Sequence, residues 1–86
     1  MQRAQTATTE IHLRGNRAED ALEELEKFLD EAILAGLPSV RIVHGKGEGI
    51  LRTMTRQVLQ RNKHVNSYRE GEPGEGGAGV TIATFK

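Results

Sequence analysis

Apolar and polar residues alternate from Thr9 to Arg14: Ile11 and Leu13 face one way, Glu10, His12 and Arg14 the other. That period of two predicts a short half-buried strand, ended by Gly15. The period then changes. Ala18, Ala21, Leu22, Leu25, Phe28, Leu29, Ala32 and Ile33 recur every three to four residues and form one apolar stripe, the mark of an amphipathic helix. Asn16, with Glu19 three residues on, predicts a capping box at its start. Gly36 and Pro38 predict its end. Ser39 to Val43 predicts a second strand, which runs into His44-Gly45-Lys46-Gly47-Glu48-Gly49. A second helix is expected from Gly49 or Ile50 to about Arg61, with Ile50, Leu51, Met54 and Val58 inward and Arg52, Arg56 and Gln60 on the far side. Asn62 is its expected stop. Val65 to Arg69 predicts a third strand, Glu70 to Gly79 a loop with five glycines and a proline, and Val80 to Phe85 a fourth strand. Met1 to Thr8 has no period and reads as a disordered leader or an expression boundary, which leaves the folded domain at residues 9–86.

The expected order is β-α-β-α-β-β, an α/β (α+β) two-layer sandwich with two helices on one face of a four-stranded mixed sheet. A strand–helix–strand unit is almost always a right-handed parallel crossover, and two such units put both helices on one side. Parallel pairing of the first two strands brings their carboxyl ends together. His12-Leu13-Arg14-Gly15 then lies beside His44-Gly45-Lys46-Gly47, at the edge where open α/β sheets bind ligands.

Composition narrows the function. Eighty-six residues allow one small core. The absence of cysteine excludes disulfides and thiolate metal sites. Three aromatics, Phe28, Tyr68 and Phe85, are too few for recognition by rows of stacking rings. No apolar run could span a bilayer, so a soluble cytoplasmic domain with no membrane partner is expected. The net charge of zero hides a segregation: Glu19 to Glu31 carries seven acids against Lys27, and Arg41 to Arg69 carries seven bases against Glu48. A basic half can present an anion-binding face, although ordinary solvated helix faces look the same.

Two motifs carry chemistry. In His44 to Gly49, glycines let a backbone turn its N–H groups towards a ligand, a helix start adds unpaired donors, and Lys46 adds a full charge; together they suit a phosphate. The same residues also describe a plain strand-to-helix turn with an exposed lysine. A Walker A loop is absent, which argues against nucleotide hydrolysis. In Ile11-His12-Leu13-Arg14-Gly15, Arg14 could fork onto the same phosphate or pair with a nearby acid. Arg52 and Arg56, one turn apart, could follow a nucleic-acid backbone or merely solubilise the helix. There is no Ser/His/Asp signature, and Glu10 and Glu48 are the only acids near this edge. Gly74-Glu75-Gly76-Gly77 matches the KH loop in letters but lies between strands, not helices.

These residues resemble the small MutS-related (Smr) domain, of the type at the C-terminus of the second class of bacterial MutS-like proteins. Its signatures, LDLHG or LDLRG and HGKG or TGRG, read here as Ile11-His12-Leu13-Arg14-Gly15 and His44-Gly45-Lys46-Gly47. Pro73 to Thr81 resembles the ending of that subgroup, and the resemblance runs from Glu10 to Lys86. It implies a fold similar to the C-terminal domain of translation initiation factor three. It also implies nucleic-acid binding with endonuclease (DNA nicking) activity tied to recombination, attachment to a larger MutS-like ATPase, and in other members action on RNA or ribosomes. Arg14, His44, Lys46 and the neighbouring Gly45, Gly47 and Gly49 match by position. His12 stands where the family usually has aspartate, and Glu10 is the nearest substitute.

The expected reaction is phosphodiester cleavage at the carboxyl edge of the first two strands. Arg14 and Lys46 would stabilise the developing charge. His12 or His44 would be the general base, and Glu10 with a histidine could hold a divalent cation such as Mg or Mn. The alternative from a different class is a non-catalytic module that docks a larger protein onto DNA, RNA or a ribosome.

Overall fold

A computed structural model describes residues 9–86, so the expected leader over residues 1–8 lies outside the described residues. The elements are β1 (Glu10–His12), α1 (Ala18–Leu34), β2 (Ser39–Val43), α2 (Ile50–Arg61), β3 (Val65–Glu70) and β4 (Val80–Phe85). Two 3-10 turns, Pro73–Glu75 and Gly77–Gly79, give the expected loop a defined shape. The sheet order is β1-β2-β4-β3, with β1 and β2 parallel and β4 antiparallel to both of its neighbours. Among the described residues no helix is long and apolar enough to cross a membrane.

Both helices pack on one face of the sheet. Leu25 and Leu29 of α1, Leu59 of α2, Val40 and Ile42 of β2, and Ala83 of β4 form the core. Leu13 is fully buried there. It lies between His12 and Arg14, so the core fixes the polar residues on either side of it. Truncation of such a leucine to alanine costs about 2–5 kcal/mol.

Three local expectations are corrected. First, α1 begins one residue later than Asn16 implies: Arg17 is the cap and no side chain bonds the first-turn amides. Asn16 instead donates its Nδ2–H to Glu24 Oε1 at 3.0 Å. Second, Ile50 is 59% exposed, whereas Thr55 and Leu59 are the buried residues of α2. The inward line of the helix starts one residue later than the pattern suggests, and Ile50 is left exposed beside the glycine loop. Third, Arg52 is not on a far solvent face but half-buried beside the glycine loop; Arg56 and Gln60 are exposed as expected, and Gln60 donates to the Tyr68 hydroxyl at 2.8 Å. β1 is also shorter than expected. Its ladder bonds nevertheless extend to Leu13, whose N–H meets the Val43 carbonyl at 2.8 Å.

Among the described residues the other face of the sheet carries no α-helix. Register places Glu10, Arg41, Ile82 and Arg69 side by side across it, on the opposite side from Val40 and Ile42.

Candidate functional site

β2 ends at Val43, and the next residue turns inward. His44 is only 4% exposed. Its Nδ1–H donates to the Gly45 carbonyl at 2.9 Å, and its Nε2 accepts from the Thr81 hydroxyl at 2.8 Å. That pairing belongs to a neutral ring. Burial pushes its pKa below the ordinary 6.5; the Gly45 bond opposes this, and the charges of Arg52 and Arg56 add to it. The backbone N–H groups of His44 and Gly45 both donate to the carbonyl of Gly79, at 3.0 and 2.9 Å. The late glycine-rich turn thus braces the phosphate-type loop.

The two sequence motifs meet at Gly45. A β-carbon there would stand 3.1–3.4 Å from the Cγ, Cδ and Nε of Arg14, so the arginine stem runs across the loop backbone. Beside this crossing lies a cleft of about 560 Å³, lined by residues 14–18 and 44–52. It gathers Arg14, Arg17, Lys46 and Arg52 against one carboxylate, Glu48. The first turns of α1 and α2 both open onto it, and neither has a side-chain cap. Uncapped helix starts leave N–H donors free, and aligned peptide dipoles favour an anion at that end. A phosphate-sized anion suits this cleft on charge and on donor count.

A second concavity, of about 500 Å³, opens on the helix-free face of the sheet. Arg14, Gly45, Lys46 and Gly47 line both, so they form a common wall. Val43 and Val80 floor the second concavity; His12 and Arg41 stand at its side. Arg41 pairs with the Glu10 carboxylate, which also meets His12 Nε2 at 3.0 Å. Arg41 Nε–H donates to the Glu75 carbonyl at 2.9 Å, and Arg69 forks onto the Glu75 carboxylate at 2.7 and 3.0 Å. The Arg69 bonds, followed by the Glu72 amide, hold Glu75 down to about 2. Gly76 closes this corner at φ +111°, where a β-carbon would collide with Val80 at 2.4 Å.

Of the residues singled out from the sequence, Arg14, Gly45, Lys46, Gly47, Gly49 and Arg52 come together at the first cleft. His12 lies across the common wall from it. Arg56 lines neither concavity, though its charge is felt at His44. Glu10 is engaged by Arg41 and His12. Among the described residues no three His, Asp or Glu side chains gather as metal ligands. Sequence reasoning missed Arg17, Arg41, Gly79 and Thr81. Arg17 had a signal, as a base just before an uncapped helix; the others depend on partners far along the chain.

The family model of the Smr domain matches residues 11–86. The endonuclease MutS2 of Symbiobacterium thermophilum is 51% identical over 84 residues, which cover 98% of this chain and 11% of that protein. The endonuclease MutS2 of Listeria monocytogenes serotype 4a is 54% identical over 80 residues, 93% of this chain and 10% of that protein. The chain thus spans about a tenth of the length of these curated relatives. The crystal structure of the Smr domain of Thermus thermophilus MutS2 superposes with a TM-score of 0.87 at 43% identity, covering 92% of this chain and 99% of that one. YdaL, a stand-alone small MutS-related protein from Escherichia coli, gives 0.88 at 25% identity, over 91% and 64%.

Proposed function

The chain belongs to the Smr domain family, and from that premise we propose that it binds nucleic acid and cleaves phosphodiesters at the carboxyl edge of β1 and β2, as a nicking endonuclease. The observation that carries this reading is the crossing of Arg14 over Gly45, which puts Arg14 beside Lys46 and the glycine loop at one cationic cleft.

Arg14 and Lys46 hold the scissile phosphate, and their charge offsets what develops on its oxygens. The amides of Lys46 to Gly49 and of the helix starts add donors that need no rearrangement, the Gly45 amide being held by Gly79. His12 is the general base. Glu10 holds its Nε2, which leaves Nδ1 to take a proton from water on DNA or from the 2′-hydroxyl on RNA. His44 acts differently: with both ring nitrogens bonded inside, it positions the Gly45 backbone. The curated relatives named MutS2 are endonucleases by name and far longer. We read this chain as the part of a larger cytoplasmic MutS-like ATPase that grips nucleic acid.

A second reading, a docking module without catalysis, has one observation in its favour: burial of His44 leaves His12 as the sole exposed imidazole beside the wall. Incubation with supercoiled plasmid and with labelled single-stranded RNA, each with and without chelator, separates the two. The catalytic reading expects nicks that vanish in His12→Ala while binding persists. Binding without cleavage on every substrate leaves the docking module. Lys46→Ala should weaken binding under either reading and lower the salt slope by about one; unchanged affinity removes the loop from both.

A further inference from the structure

We infer that the concavity on the helix-free face is a nucleoside subsite, which takes the base and sugar of an unpaired nucleotide next to the phosphate held by Arg14 and Lys46. The inference rests on the phosphate reading above and names the form of strand that site accepts.

The common wall is the first ground. Arg14, Gly45, Lys46 and Gly47 border both concavities. A strand whose phosphate rests on that wall therefore extends a nucleoside over one side or the other. The helix-side cleft is cationic and rich in donors, and takes charge. The open-face concavity has a different lining.

Its floor is the second ground. Val43 and Val80 give it a small apolar floor between Arg14, Lys46 and Arg41. A base and sugar present flat apolar surfaces with polar edges, which suit that mixed lining better than a bare phosphate does. The volume of about 500 Å³ lies within the range of small-ligand sites.

Arg41 is the third ground. Its charge is met by Glu10 and its Nε–H by the Glu75 carbonyl. What it offers the concavity is a planar guanidinium fixed in place, a surface on which unstacked bases lie. Among the described residues no acid lines this concavity, and the carboxylate of Glu10, which binds its lining residues His12 and Arg41, is met by the Arg41 charge. His12 is the one aromatic ring among its lining residues, and stacking on a ring or a guanidinium plane is tolerant of base identity. A paired base is stacked and faces its complement; entry here requires that it leave the duplex.

The test is amide-shift mapping of the 86-residue chain with hexathymidylate, with an abasic hexamer carrying the same phosphates, and with a blunt duplex. Hexathymidylate should perturb Lys46 to Gly49 together with Val43, Gly76 and Val80. The abasic hexamer should perturb only the loop and bind about fivefold or more weaker, as the loss of one base contact implies. The duplex should leave Val80 unmoved and bind more weakly than hexathymidylate at equal salt. Equal affinity and equal shifts for the two hexamers would overturn the nucleoside subsite but leave the phosphate reading standing. Tighter binding of the duplex with Val80 unmoved would do the same. Shifts that avoid Lys46 to Gly49 with every probe would overturn the phosphate reading itself, and the subsite with it.

Discussion

Arg14 Cγ lies 3.1 Å from the point where a β-carbon on Gly45 would sit, at a residue whose φ is +82°. The glycine is thus required twice, by its backbone angle and by the arginine above it. Gly45→Ala should cost about 1–2 kcal/mol from the left-handed conformation alone. It should also displace Arg14 and weaken nucleic-acid binding. Urea unfolding gives the first effect and a binding titration the second. Affinity equal to the parent chain's would show that the arginine stem is not part of the grip.

His44 makes stability depend on pH. Its folded pKa is below the ordinary 6.5, so the folded state prefers the neutral ring. Its contribution is fully present above 6.5 and is lost as pH falls from there through the lowered folded value. The unfolding midpoint should therefore drop between pH 7 and 5, and His44→Gln should flatten that slope. An equal slope in the variant would assign it to other groups.

Glu75 titrates lower still, about 2 in the folded chain against an ordinary 4.5. The stability that the Arg69 fork contributes is thus fully present above 4.5 and lost as pH falls through 2. The Glu72 N–H, which donates to Glu75 Oε1 at 2.8 Å, reports this directly. Its amide shift should inflect near 2. In Glu75→Gln the inflection should be absent, and the turn bearing Gly76 should exchange its amides faster at neutral pH.

Thr55 is fully buried on α2, and among the described residues its hydroxyl has no hydrogen-bond partner. A buried hydroxyl left unpaired costs about 1–3 kcal/mol. Thr55→Val keeps the shape and removes that group. The variant should be as stable as the parent or more so by about 1 kcal/mol, measured by thermal or urea unfolding. A clear loss would mean that the hydroxyl is satisfied by a bound water.

What the sequence shows and what it hides divide along contact distance. Lys46 is legible because glycines flank it and a helix follows. Arg14 is legible because it ends an alternating strand beside that loop. Arg41 is not, because a mid-strand arginine becomes a wall of the open face only through Glu75, 34 residues away. His44 shows the same limit. As a histidine after a strand it reads as a base, and only Thr81, 37 residues on, turns it inward. The misplaced cap at Asn16 has a local cause: its amide is drawn to Glu24, and the first turn of α1 is left bare towards the cleft.

β4 is translated after the other three strands yet lies between β2 and β3. Until it leaves the ribosomal tunnel, β3 has no neighbour, and Gly79 cannot reach the amides of His44 and Gly45. The basic stretch emerges first and its scaffold afterwards. A chain caught midway through synthesis carries the charge without the shape. Under the proposed function such a chain would meet polyanions by charge alone, and the cleft would take its form only when the closing segment slots into the middle of the sheet.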